Sequence, residues 1–269
     1  MMAMNIYKLI CLTLFSLVFV ACESEEILGP DIAFEEYTVV QAEIQSGKIF
    51  PAVRITKTLP LGISYDIKLA ELKEVTAYLV KNDVQVIPLV YTNNGLYKPK
   101  YEFYVSEGDT YEIYADRDGI FIYGKTTIPF EPSVTLVNFS PNDYYFEADV
   151  VSKEGEVYGA LWIVTGTPPA IADDFFSVSK TSTGINQVVS VRSTSLPEEY
   201  RNQSYSGRRN IQVVAFDKSF RDYFYSRTSG NEINDPFIQG GGVVNWNMQG
   251  ENVIGMFIGL AKGDVIVVN

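Results

Sequence analysis

From Glu36 onward the sequence keeps returning to one local pattern, a short apolar–polar alternation cut off by Gly, Asn or Asp. Glu36 to Gln45 (EYTVVQAEIQ) breaks at Ser46-Gly47 and resumes from Lys48 to Thr56. Glu74 to Val80 breaks at Asn82-Asp83 and resumes from Val84 to Tyr91. Asp109 to Ala115 breaks at Asp116-Arg117-Asp118-Gly119 and resumes from Ile120 to Thr127. A period of two places alternate side chains on opposite faces, and residues that tolerate positive φ let the chain reverse tightly. The pattern therefore dictates antiparallel hairpins. Lys68 to Val75 is open to a helical reading, but pairing with the strand from Val84 accounts for it better.

Ile128-Pro129-Phe130-Glu131-Pro132 interrupts the alternation, because two prolines favour extended linker chain over continued pairing. Further strands are expected at Val134 to Phe139, Tyr144 to Val151, Val157 to Thr165, Asp174 to Lys180, Gln187 to Ser193 and Arg209 to Phe216. A short helix from Lys218 to about Thr228 follows, which Asp217 or Ser219 can cap. Strands at Gly242 to Asn247 and Val253 to Val268 complete the chain. The expected fold is all-β, with two antiparallel β-sandwich domains. Residues 35–130 form the first, immunoglobulin- or transthyretin-like. Residues 131–269 form a second β-rich domain with at most one short helix.

The N-terminal end carries a different signal. Leu9 to Val20 (LICLTLFSLVFV) is an apolar run preceded by Lys8 and followed by Ala21. Its length falls short of the about 20 residues that a spanning helix needs, and its flanks match a secretory signal. Phe19-Val20-Ala21-Cys22 resembles the lipobox of bacterial lipoproteins, in which the cysteine becomes the acylated first residue. Cys22-Glu23-Ser24-Glu25-Glu26 is similar to the acidic export signal of Bacteroidetes surface lipoproteins. Residues 1–21 are thus expected to be a signal peptide, Cys22 the lipidation site, Glu23, Ser24, Glu25 and Glu26 the export signal, and residues 22–34 an acidic tether. Several acyl chains at one cysteine suffice for stable anchoring, at about 0.8 kcal/mol per buried CH₂.

Removing 21 residues from 269 leaves 248, and the loss of Lys8 takes the net charge from −12 to −13. That acidity argues against nucleic acid, whose phosphates demand clustered Lys and Arg. Of the two cysteines, Cys11 leaves with the signal and lipid consumes Cys22, so no disulfide is expected. The sequence contains no histidine. This excludes Ser-His-Asp and Cys-His catalysis and His-ligated zinc. Paired carboxylates or a Ser-Lys arrangement remain conceivable, but no spacing points to either. Neither a cofactor nor a metal is expected, and the chain is read as a non-enzyme.

Three local features invite a stronger reading. Asp116-Arg117-Asp118-Gly119 has the flavour of a calcium loop but lacks its third acidic ligand and distal Glu, so a tight hairpin turn is simpler. Gly240-Gly241-Gly242 lacks the lysine and the strand–helix frame of a phosphate loop. Tyr200, Arg201, Tyr205, Arg208 and Arg209 interleave aromatic faces with cationic donors, and are the candidate ligand contacts.

Three segments carry a wider resemblance. Glu107 to Pro129 (EGDTYEIYADRDGIFIYGKTTIP), Ser140 to Val151 (SPNDYYFEADVV) and Asp235 to Ala261 (DPFIQGGGVVNWNMQGENVIGMFIGLA) resemble the Bacteroidetes DUF4249 family, with Asp143 where Asn is usual. The resemblance implies a surface lipoprotein encoded beside a TonB-dependent outer-membrane transporter, with no catalytic residues to carry over. The expected localisation is therefore the outer membrane, lipid-anchored and facing the exterior. The expected role is a non-enzymatic accessory to the barrel, with a peptide, glycan or other nutrient as ligand. The alternative is a surface adhesin or fimbrial-type subunit, which the apolar stretch Gly263 to Val268 permits. Cys22→Ala is expected to leave the protein unprocessed or soluble in the periplasm; fractionation with outer membrane in the absence of a bound partner would contradict lipidation.

Overall fold

A computed structural model of the chain describes residues 34–153, 155–165, 176–178, 187–201, 207–221, 223 and 244–268. Residues 1–21, expected as a signal peptide, and Cys22, Glu23, Ser24, Glu25 and Glu26, expected as lipidation site and export signal, lie outside these residues. Glu36–Asn269 forms one structural unit. Its strands are β1 (Thr38–Gln45), β2 (Val53–Lys57), β3 (Thr76–Lys81), β4 (Gln85–Asn93), β5 (Leu96–Pro99), β6 (Thr110–Arg117), β7 (Ile120–Thr127) and β8 (Ser133–Ser140). They continue with β9 (Tyr145–Val151), β10 (Val157–Thr165), β11 (Phe176–Val178), β12 (Val188–Arg192), β13 (Arg208–Phe216), β14 (Met248–Gln249), β15 (Val253–Lys262) and β16 (Ile266–Val268). The fold is all-β.

The hairpins form where the turn chemistry places them. Asn82 and Asp83 (φ 53° and 58°) join β3 to β4, and Asn94 and Gly95 (φ 51° and 71°) join β4 to β5. Asp118 and Gly119 (φ 53° and 86°) join β6 to β7. Two successive positive-φ residues give the mirror-image turn whose twist matches that of the flanking strands. Asp116 tightens the last one by accepting a 3.2 Å hydrogen bond from the Gly119 N–H. The calcium-loop look of this segment is hairpin chemistry.

Three local expectations change. Lys68 to Ala70 belong to a helical turn, Ile67–Ala70, because the Asp66 carboxylate caps it by accepting from the Lys68 N–H at 2.9 Å. Residues 244–247 carry no strand; the pairing begins at β14, against Tyr123 and Gly124 of β7. The long apolar stretch from Val253 splits in two, since β15 pairs with the end of β13 and β16 with its start.

A 13-stranded sheet runs β11-β10-β13-β15-β1-β2-β5-β4-β3-β6-β7-β14, with β16 beside β13, and a three-stranded sheet runs β12-β9-β8. Two cores form. Val40, Ile44, Val53, Ile55, Leu79, Ile87, Tyr97, Tyr111, Ile113 and Ile122 fill the first, together with Met248, Val253 and Phe257 from the far end of the chain. The second is a sandwich: Tyr158, Ala160, Trp162, Ile211 and Val213 of β10 and β13 meet Phe146, Ala148, Val150 and Val191 of the small sheet. Trp162 sits edge-on to Phe146 at 5.1 Å and donates its indole N–H to the Thr194 carbonyl at 3.0 Å, so its one polar atom is satisfied.

Among the described strands one pairing is parallel. β15 runs beside β1 in register from Thr38↔Val253 to Gln45↔Leu260. Gly255 is required there: its φ is +134°, and a Cβ would lie 1.9 Å from the Val40 carbonyl oxygen. The other edge of β15 meets β13 only from Leu260 onward, which leaves earlier backbone groups to be paired otherwise. The Asn247 side chain does this as a peptide would, donating to the Phe257 carbonyl at 2.5 Å and accepting from the Phe257 N–H at 2.8 Å. Thr126 of β7 accepts from the Gly259 N–H at 2.8 Å and donates to the Asp217 carboxylate at 3.1 Å. The Asp217 N–H in turn donates to the Gly259 carbonyl at 3.0 Å. Glycine again permits the approach, because a Cβ on Gly259 would lie 2.9 Å from the Thr127 carbonyl oxygen. Asn247→Ala strands both Phe257 groups. It is expected to lower the unfolding free energy by about 1–3 kcal/mol in urea titration, the range for a buried polar group left unpaired.

Candidate functional site

The outward faces of β1 and β15 form the floor of a groove of about 330 Å³. Strand alternation sends Val40, Ala42 and Ile44 into the first core, so Val39, Gln41 and Glu43 point the other way. The parallel register sets Ile254 beside Val39, Met256 beside Gln41 and Ile258 beside Glu43. Phe220, Tyr223 and Trp246 complete the lining.

The seam that closes β15 also builds this wall. Asp217 turns the chain at the end of β13: its carbonyl accepts from the Phe220 N–H at 3.0 Å, and its carboxylate accepts from the Ser219 hydroxyl at 2.7 Å. Residues 218–221 are then helical, and Phe220 stacks on Phe216 at 4.4 Å with the rings 20° from parallel. Tyr223 lies 6.0 Å from Phe220 and 5.3 Å from Trp246, centroid to centroid. Trp246 is held because its neighbour Asn247 is bonded to Phe257. The result is an aromatic wall over an aliphatic floor, with Gln41 and Glu43 as polar groups along one side. Its volume falls at the small end of ligand sites, about 300–1,000 Å³, so it suits one side chain or ring.

The candidates drawn from the sequence lie elsewhere. Tyr200 and Arg201 end the helical turn Glu198–Arg201, and Arg208 and Arg209 begin β13. Arg209 donates Nε–H to the Tyr200 carbonyl at 2.7 Å, while Arg201 donates Nε–H to the Leu196 carbonyl and sits 5.1 Å from the Tyr144 ring. Tyr200 packs against the second core. Arg208 is exposed, on the opposite face of β13 from Arg209. Tyr205 lies outside the described residues, as do Gly240, Gly241 and Gly242. At about 3.3 Å per residue, β13 separates Arg208 from Phe216, on which the groove residue Phe220 stacks, by on the order of 25 Å.

The ionisable clusters are built into strand pairing. Glu112 accepts from Lys125 (2.7 Å), Tyr114 (2.7 Å) and Tyr123 (3.1 Å), and these partners hold it below the usual carboxylate range. Burial pushes Glu156 up, although its oxygens accept from the Tyr158 hydroxyl at 2.7 Å and the Phe130 N–H at 3.2 Å. It lines a cleft of about 220 Å³ with Asp217, at the linker. Glu71 is the strongest case. The Tyr91 hydroxyl donates to it at 2.5 Å and Lys73 lies 3.2 Å away, and together with Lys68 they hold it down to about 2 against burial. The same bond pushes Tyr91 up to about 12. Among the described residues no group of three His, Cys, Asp or Glu side chains could hold a metal ion.

No family model and no curated protein matches the chain. Among solved structures, a DUF4785 family protein from Legionella pneumophila is similar over 67% of this chain, at 12% identity and a TM-score of 0.23. The match spans 52% of that protein, about half its length.

Glu71 sets an acid limit. A carboxyl held near 2, against an ordinary 4.5, stabilises the fold fully above pH 4.5, and that contribution fades as pH falls toward 2. Glu71→Gln is therefore expected to reduce stability at neutral pH and to flatten the stability profile between those limits, measured by urea midpoints at stepped pH.

Proposed function

We propose that this chain is a lipid-anchored outer-membrane protein facing the cell exterior. In this reading it serves a TonB-dependent transporter as a non-enzymatic accessory that holds a nutrient for the barrel. The observation that carries ligand holding is the groove over β1 and β15, whose aromatic wall and aliphatic floor flank the polar side chains of Gln41 and Glu43. Such concave, mostly apolar surfaces with few placed polar groups are the usual form of a small-ligand site. The anchoring half of the proposal rests on Cys22 and the acids after it. Among the described residues no helix is long and apolar enough to cross a membrane. Tethering beside a pore raises the effective concentration of whatever the groove releases, which gives modest affinity a use.

The DUF4249 resemblance supports the same reading, through its expected neighbouring transporter gene. The fimbrial alternative draws on the apolar last strand. That strand is engaged within its own chain, pairing Arg209↔Val268, Asn210↔Val267 and Ile211↔Ile266.

The proposal is tested by purification in mild detergent, where a TonB-dependent barrel is expected to co-purify. Deleting the gene is expected to slow growth on one limiting nutrient, and Trp246→Ala to reproduce part of that defect. Recovery of copies of this chain alone, with no barrel, would favour the fimbrial subunit.

A further inference from the structure

We infer that the groove takes a short basic peptide, with one lysine or arginine side chain laid along the aromatic wall and its cationic head at Glu43. This rests on the groove being a ligand site. The first argument is charge. Glu43 is exposed and is the one acidic side chain in the lining, which among the described residues contains no lysine or arginine. Four acids built into the strand framework have cations: Glu36 has Lys57 and Arg117, Glu71 has Lys73, Asp109 has Lys81 and Glu112 has Lys125. Among the described residues Glu43 has no ion pair. Its carboxylate is thus open to a ligand cation, and it stands beside a groove.

The second argument is the wall. Trp246 and Tyr223 line the groove, and their rings are the stronger aromatic partners for an ammonium or guanidinium, which gains about 0.5–1 kcal/mol over such a ring when exposed and more when desolvated. The third is the stem. Met256, Ile254 and Val39 supply an apolar floor suited to the methylenes that lysine and arginine bury while keeping the head in water. The fourth is Gln41, midway between Val39 and Glu43 on the same face of β1. Its amide can both donate to and accept from a peptide group of the ligand. A volume near 330 Å³ limits the enclosed part to one side chain, leaving the rest of the peptide outside.

The test uses the full chain with the fluorescence of Trp246; the other of the two tryptophans, Trp162, is fully buried and serves as the reference. Probes are acetyl-Ala-Lys-Ala-amide, its arginine counterpart, the neutral norleucine counterpart and a neutral glucose oligosaccharide. Calorimetry is expected to show both basic peptides binding at least tenfold tighter than norleucine, with the advantage shrinking as salt rises. Glu43→Gln is expected to remove most of that advantage, leaving the share owed to the rings, with an unchanged thermal midpoint. Equal binding of the norleucine peptide, or indifference to Glu43→Gln, overturns the cationic assignment while the groove stands as a ligand site. Binding of the oligosaccharide alone, lost in Trp246→Ala, likewise replaces the class and keeps the site. If no probe binds and Trp246→Ala cells grow normally on every limiting nutrient, the groove reading falls with it.

Discussion

The parallel contact between β1 and β15 is the constraint on which the rest of the unit depends. It joins positions more than two hundred residues apart in the chain, from Thr38↔Val253 to Gln45↔Leu260. Through it β15 serves two structures: Val253 and Phe257 enter the first core, and the end of the strand pairs with β13, whose Ile211 and Val213 enter the second. A parallel ladder left with an open second edge would expose Phe257 and Gly259 to unpaired burial. Asn247, Thr126 and the Asp217 backbone close that edge with side-chain and irregular backbone bonds in place of a regular strand. Each such bond is worth only about 1 kcal/mol net, but each leaves a larger penalty if broken in a dry interior.

The groove is a by-product of this closure. Where β13 stops, Asp217 bends the chain, and Phe220 is carried over the outer face of β15; where Asn247 docks, Trp246 arrives beside it. The aromatics of the opposite region have a different task. Tyr78, Tyr114 and Tyr123 are cross-strand neighbours on β3, β6 and β7, and their rings stand against one another at 5.3 Å and 5.1 Å. Glu112 takes the hydroxyls of Tyr114 and Tyr123, which locks the row. Cross-strand pairs of this kind add about 0.2–1 kcal/mol each and hold register, which accounts for these three tyrosines without invoking a ligand.

Local structure was legible in the sequence because it is decided locally. Asn82-Asp83 and Asp118-Gly119 announce their turns through residues that accept positive φ, and the alternation around Tyr111 and Ile113 marks the core face directly. The one-turn helix at Ile67–Ala70 had a local signal too, in Asp66 as a cap, but four residues are too few to show a helical period. What alternation cannot show is the partner of a distant strand. Nothing within Val253 to Lys262 names β1, although Gly255 and Gly259 are the trace of two close approaches. The site followed the same rule. Tyr200, Arg201 and Arg209 stood out as a cluster in sequence, yet two of the three use their Nε–H groups on backbone carbonyls. Tyr223 and Trp246 are far apart in sequence and become neighbours only through the Asn247 seam.

The same seam separates what holds the molecule together from what its surface is free to do. Asn247, Thr126 and Asp217 have their hydrogen-bonding groups committed to Gly259, Phe257 and one another, so changes there act first on stability. Gln41 and Glu43 sit on a strand whose register is fixed by its inward face, Val40, Ala42 and Ile44, and by eight paired positions with β15. Their side chains carry none of that load. Exposed polar changes on a well-paired strand typically shift stability by no more than about 0.5 kcal/mol, whereas loss of the one charge in a small groove removes most of its electrostatic selectivity. Selectivity at β1 is thus separable from folding, while the aromatic wall is not wholly so, because Trp246 adjoins the residue that closes the sheet.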